Sequence, residues 1–455
     1  MSAINAIVDS EMNNLLADLQ TLIRQPSVSA RKQGLAECAN LVAEIMRKGR
    51  INSEVLYLND DKSIPPVVYA EVKSKSNPNK TILFYNHYDV QPEEPVELWE
   101  SEPFSGKIEG NYIFGRGSAD DKGELITRVK AVEYFLKKTG DVPCNVKFIV
   151  EGEEEVGSVH IKQYLRKYRD MLKCDGVIWE FGYVDAKDRP IISLGMKGLL
   201  YVELLAKGPA RDAHSSLAVL IENPAWELIS ALGTIRDKNG KVLIKDWYKE
   251  VRPFTDQELS VIGNEPFDEQ EFKKEYGIER FVANAEGIEI KKAHVGMPTC
   301  NIAGFNSGYT GEGAKTVLPS KAMVKIDFRL VPDMMPEKQL ERLKNHLNEH
   351  GFENIEVRFI HGEAAARTPI SDPFVAHVEQ AAKEAFGSAI ISVSSAGTGP
   401  MHSFLKTLHA PCISIGGTYL FSRIHSPNEF ARIDLLNKTT KCIGRIMEKF
   451  SSSQR

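Results

Sequence analysis

Cysteine is scarce in this 455-residue chain: Cys38, Cys144, Cys174, Cys300, Cys412 and Cys442 are scattered, and none forms a CxxC pair. That excludes a disulfide scaffold and a thiolate-built structural zinc site, and it predicts reduced, mostly buried thiols in a cytoplasmic protein. Long hydrophobic runs are missing too. Nowhere do 18 or more apolar residues follow one another, so no membrane span is expected. No basic block stands out and the net charge is −5, so the electrostatic footprint of a nucleic-acid binder is absent. The opening MSAINAIVDSEMNNLLADLQ lacks a basic start, a continuous apolar stretch and a small-residue cleavage site, and no secretory leader is expected there. Repeats and low-complexity tracts are absent. There is no GxSxG elbow for a serine hydrolase and no HExxH for a zincin. GYTGEGAKT fails as a phosphate loop because Ala314 separates Gly313 from Lys315.

What remains is the composition of a globular protein, 42% apolar and 26% charged, with a length that favours two domains. Leu15, Leu16, Leu19, Leu22 and Ile23 recur at helical spacing until Pro26, and a second helix follows through Leu35, Cys38, Leu41, Val42, Ile45 and Met46. The runs VVYAEV, TILFYNHYDV, NVKFIVEGEEE and GVIWEFG read as strands, with a helix through Leu125, Val129, Val132 and Leu136 between the second and third. Strands alternating with helices predict an α/β layer sandwich around a largely parallel sheet. After about residue 195 the pattern changes. KAMVKIDFRLV alternates as a half-exposed strand, PEKQLERLKNHLNEHG is an amphipathic helix, and NIEVRFIHG is another strand, whereas residues 236–290 are polar and weakly periodic. The α/β character returns near residue 370. The expected architecture is an α/β domain over 1–195 and 370–455, interrupted by an inserted α+β domain over 196–369.

Acidic and histidine residues gather where strands end, the place at which open α/β sheets bind ligands. His87-Tyr88-Asp89 closes one strand, and alternation puts His87 and Asp89 on one side, so Asp89 is placed to take the second ring N–H while His87 binds a metal. A turn histidine followed by a capping aspartate is the plainer reading of this pair alone. In GRGSADDKG, Asp120 and Asp121 stand at a helix start. Helix capping needs only one aspartate and explains none of the glycines, whereas a carboxylate bridges two cations through its two oxygens. EGEEEVGS puts four glutamates into five residues, which is costly at the end of a buried strand unless cations compensate. One of them is free to shuttle a proton while its neighbour ligates. Glu180 ends the apolar VIW, and His425 lies in SRIHSPNEF. Mixed nitrogen and oxygen donors without cysteine favour zinc, manganese or cobalt.

NHYDV, GRGSADDKG, EGEEEVGS and SRIHSPNEF together resemble the motifs of the M20 metallopeptidases. GAKTVLPSKAMVKIDFRLVP and the insertion near 236–290 resemble the branch that holds cytosolic nonspecific dipeptidase and carnosinase. The resemblance implies a catalytic domain holding two divalent ions, Zn²⁺ or Mn²⁺, and an inserted lid domain through which the chain forms a homodimer. By position it implies metal ligands His87, Asp120 (bridging), Glu155, Glu180 and His425, with Asp89 orienting His87 and Glu154 as general base. Glu180 stands where this branch often has Asp. It further implies that His214 reaches a neighbouring subunit's site to stabilise an oxyanion and that Arg329 holds a substrate carboxylate. Thr316 and His361 match lesser substrate contacts, and SAGTGP departs from the branch's GGSIP at Thr398 and Gly399. The implied activity is hydrolysis of dipeptides or short peptides with a free C-terminus. N-acyl-amino-acid deacylation (a desuccinylase or deacetylase), carboxypeptidase trimming of longer peptides and a non-catalytic binding role on the same fold remain alternatives.

Overall fold

The computed structural model describes residues 3–452. They form two compact units. The first is built from the described part of the chain up to Gly195, Thr368–Val393 and the described part from Gly399 on. The second is built from Met196–Arg367 together with Ser394–Thr398.

The first unit holds an eight-stranded sheet in the order Asn52–Leu56, Val67–Val72, Asn145–Glu151, Thr81–His87, Gly176–Trp179, Cys412–Ser414, Ile191–Ser193, Ile390–Ser392. Its four central strands, from Asn145–Glu151 to Cys412–Ser414, run parallel. The sheet is more mixed than the sequence pattern predicts, because Asn52–Leu56, Val67–Val72 and Asn145–Glu151 pair antiparallel, as does the join between Cys412–Ser414 and Ile191–Ser193. The short connection 57–66 contains no α-helix, and only an antiparallel return is open to it.

Both faces of the central strands are buried. Ile82, Phe84, Phe148 and Ile178 join the larger core with the helices Met12–Arg24, Leu35–Lys48, Lys122–Thr139 and Ile433–Ser452. Tyr85 and Trp179 point the other way and pack on Phe404 of the helix Met401–Leu408. With helices on both faces, these strands read as continuous apolar runs and not as alternation.

In the second unit, Asn301–Ser307, Lys321–Leu330, Gly198–Lys207 and Glu356–Glu363 form an antiparallel sheet in that order. Ala322, Val324, Ile326, Phe328 and Leu330 face the core beneath the helices Pro224–Ile235 and Pro336–Glu349. The alternate residues Met323, Lys325, Asp327 and Arg329 are half-exposed, as the alternation predicts. Three helices occupy the weakly periodic stretch and its end: Asp256–Asn264, Glu269–Tyr276 and Ile288–Gly296.

Candidate metal centre

The four central strands of the large sheet run parallel and so end on one side of it, and the acidic residues collect there. His87 is the last residue of its strand, Glu151 closes the next, and Glu180 follows Trp179 directly. The buried His87 ring puts Nδ1 3.0 Å from the Asp89 carbonyl oxygen. The Asp89 carboxylate is farther from that nitrogen, at 3.4 Å. An Nδ1–H donated to Asp89 leaves the Nε2 lone pair free for a cation. The side chain of Asp89 has a second task that spacing alone does not disclose. Its two oxygens accept the backbone N–H groups of Glu154 and Glu155, at 3.2 and 3.1 Å, and so fix the turn that carries both glutamates.

Asp120 stands between two histidines, with Oδ1 3.1 Å from His87 Nε2 and Oδ2 3.3 Å from His425 Nε2. His425 Nε2 is also 3.1 Å from Glu155 Oε2, which accepts a 2.8 Å hydrogen bond from Gln91. His425 adopts a left-handed backbone, φ 58°, a conformation that costs a non-glycine residue energy and recurs at functional sites. Asp121 occupies the N-cap position of the helix Lys122–Thr139 yet makes no capping hydrogen bond. It turns inward instead, where Oδ2 accepts from Asn86 Nδ2 at 2.7 Å and from the His87 N–H at 3.1 Å.

Two donor groups result. His87, Asp121 and Glu180 form one, and Asp120, Glu155 and His425 form the other; within each, the candidate ligand atoms lie within 4.8 Å of one another. Asp121 Oδ1 and Glu180 Oε2 are buried without a hydrogen-bond partner, an arrangement that a bound cation compensates. The donor set therefore fits divalent cations held by imidazole and carboxylate.

The electrostatics of the cluster follow from burial and crowding. Burial opposes charge on His87, but Asp120 and Asp89 outweigh it and hold the imidazole well above its usual range. Asp120 and Glu155 lift His425 to about 10. Burial favours protonation of Asp120, yet His425 and His87 hold its carboxyl below the usual range. Burial and the neighbouring Glu154 push Glu180 well up. For Glu154, burial and then Glu155, Asp120 and Asp89 raise the carboxyl to about 8, against the pull of His87.

Beneath the cluster, Glu429 accepts backbone N–H groups from Gly117, Ala119 and Asp120, at 3.1, 3.0 and 3.1 Å, and pairs with the buried Arg116 at 2.8 Å. This carboxylate shapes the glycine loop that presents Asp120. Gln91, Asn86 and Glu429 are not among the residues that the sequence singles out, although Asn86 opens the motif NHYDV and Glu429 lies in SRIHSPNEF.

The remaining sequence candidates belong to the second unit. Arg329 Nη1 donates to Thr398 Oγ1 at 2.7 Å, which brings the divergent SAGTGP segment against this arginine. His214 is exposed and accepts the Ser216 N–H at 3.2 Å. Thr316, also exposed, takes the neighbouring Ser215 N–H on its carbonyl at 3.3 Å. His361 lies opposite Tyr201 on the strand Glu356–Glu363.

The sequence matches Peptidase family M20/M25/M40 across residues 83–449. The chain belongs to this family. All the residues of both donor groups lie inside the matched span. As an M20 peptidase it is a hydrolase of the metallopeptidase class. It is 29% identical over 381 residues to the Cys-Gly metallodipeptidase DUG1 of Candida albicans, covering 79% of this chain and 78% of that protein. It is 29% identical over 328 residues to the Beta-Ala-His dipeptidase of Rattus norvegicus, covering 70% of this chain and 66% of that one. Among solved structures, the M20 family metallo-carboxypeptidase Sso-CP2 of Sulfolobus solfataricus superposes with a TM-score of 0.88 at 38% identity, over 96% of this chain and 99% of that one.

Proposed function

We propose that this M20 peptidase hydrolyses the peptide bond of dipeptides and short peptides with a free C-terminal carboxylate, in the cytoplasm, as a homodimer using two Zn²⁺ or Mn²⁺ ions. The observation that carries the reading is Asp120, whose two oxygens each approach a different histidine, with the raised carboxyl of Glu154 close by. His87, Asp120, Glu155, Glu180 and His425 are the proposed ligands, with Asp120 shared and Asp121 beside His87 and Glu180 in their donor group. Bound ions would lower the pKa of water and polarise the substrate carbonyl. Asp89 fixes the His87 tautomer and the turn of Glu154 and Glu155. Glu154 accepts the proton of the attacking water on its carboxylate and returns it to the departing amine.

The first unit is the proposed catalytic domain and the second the proposed lid. In the lid, Arg329 pairs with the substrate's C-terminal carboxylate, aided by Thr316 and His361, and His214 stabilises the oxyanion in the partner's site. Apolar side chains exposed on the second unit support dimerisation: Val219 (88% exposed), Leu220 (80%) and Trp226 (69%), with Ile302 and Phe305 on the strand Asn301–Ser307 at the sheet edge. Six free cysteines, five of them buried, suit a reducing compartment.

The dipeptidase relatives favour dipeptides. The similarity to the Sulfolobus solfataricus metallo-carboxypeptidase favours a second reading, removal of the C-terminal residue from longer peptides. Glu154→Gln tests the shared mechanism. Turnover is expected to fall by about 10²–10⁴-fold while metal content and melting temperature stay unchanged. Wild-type turnover in that variant would remove Glu154 from the mechanism.

A further inference from the structure

The helix Lys122–Thr139 buries two charges that the proposed mechanism does not use. Arg128 is 0% exposed and Glu124 2% exposed, and they pair one turn apart at 2.7 Å. A buried ion pair is weak evidence for stability, since apolar residues of similar volume often serve as well or better. Its hydrogen bonds indicate a more specific task.

One arm of Arg128 binds Glu124. The other donates to two backbone carbonyls, Trp179 O at 3.1 Å and Ile415 O at 2.9 Å. Those carbonyls lie where the adjacent parallel strands Gly176–Trp179 and Cys412–Ser414 run out of ladder partners. The guanidinium fork therefore staples two strand ends together, and the next residue after Trp179 is Glu180. Glu124 completes the frame from the other side. Its Oε1 accepts the Gly417 N–H, and the Thr418 hydroxyl lies 3.0 Å from that oxygen and 3.1 Å from the carbonyl of Ala119, the residue before Asp120. One ion pair thus reaches the backbone beside two proposed ligands that come from different strand ends.

We propose that Arg128 and Glu124 are positioning residues for cation binding, holding Glu180 in register with His87 and Asp121 and steadying the loop of Asp120. The proposal rests on the metal-centre reading above. Arg suits the task because its planar fork serves two carbonyls and a carboxylate at once, which a lysine ammonium on a flexible stem does not.

The test is cation titration of the metal-stripped full chain by calorimetry, with the visible absorption of bound Co²⁺ reporting ligand geometry. Wild type is expected to take up two ions. Arg128→Met is expected to weaken the ion held by Glu180 at least ~10-fold, in the range seen when groups behind metal ligands are removed, and the other ion less. Arg128→Lys should recover part of the loss. Glu124→Gln, which keeps size and shape, should shift the same ion in the same direction and decides the matter if Arg128→Met does not fold. Two ions at wild-type affinity in the folded variants overturn the proposal, and so does equal weakening of both, the mark of general loosening. Failure of wild type to take up two ions overturns the metal-centre reading itself.

Discussion

Glu151 closes its strand and Glu154 opens the turn three residues on, and burial first of all pushes both carboxyls up to about 8. Glu151 accepts hydrogen bonds from Tyr85 and Ser158, at 2.6 and 2.9 Å, which oppose that rise without cancelling it. A folded pKa above the unfolded value means that the fold favours the protonated form. The contribution is full below about 4.5 and is lost as pH rises through about 8. Glu151→Gln in the metal-stripped protein is therefore expected to raise the melting temperature near pH ~9 and to leave it unchanged or lower near pH ~5. An equal effect at both pH values would contradict the buried-carboxyl account. The histidines give a second prediction. Asp120 and Glu155 lift His425 to about 10, and His87 is also raised, so both must shed protons to ligate. Cation affinity should climb with pH, and calorimetry in buffers of different ionisation enthalpy should register proton release on binding. At this scale the sequence discloses the residues that carry donor atoms, because the motifs place them at strand ends. It does not disclose Gln91 on Glu155 or Asn86 on Asp121, since both pairings join segments far apart in the chain.

The elements explain why those donors converge. Parallel strands ending on one side bring His87, Glu151 and Glu180 together, and the glycine loop before the helix Lys122–Thr139 adds Asp120 and Asp121. That loop depends on Glu429, which satisfies three of its N–H groups and the buried Arg116. Glu429→Ala would leave a buried guanidinium and three amides without their acceptor, and a loss of about 3–5 kcal/mol is expected. Chemical denaturation measures it, and a loss below ~1 kcal/mol would contradict the assignment. Element types were legible where periodicity is strong: Lys321–Leu330 alternates along its whole length, and Pro336–Glu349 is amphipathic. The mixed sheet was not legible, because strand direction depends on how the short connection 57–66 returns. Nor was the helix Asp256–Asn264 recognised in its polar stretch, although Thr255 and Glu258 form a capping box that marks its start.

At the scale of the whole molecule, the proposed assembly is a dimer with two ions in each chain. If His214 acts in the partner's site, chains carrying His214→Ala and chains carrying Glu154→Gln should both be inactive alone, and hybrid dimers of the two should regain activity through one intact site. Hybrids as inactive as their parents would confine each site to one chain. The most direct measurement strips the purified protein with chelator and restores Zn²⁺ or Mn²⁺. Free dipeptides, longer peptides and N-succinyl and N-acetyl amino acids are then assayed side by side. Restored cleavage of free dipeptides, with the acylated amino acids left intact, is the predicted result. Cleavage of the acylated amino acids alone would contradict the substrate assignment, and no cleavage with either metal would contradict the catalytic one.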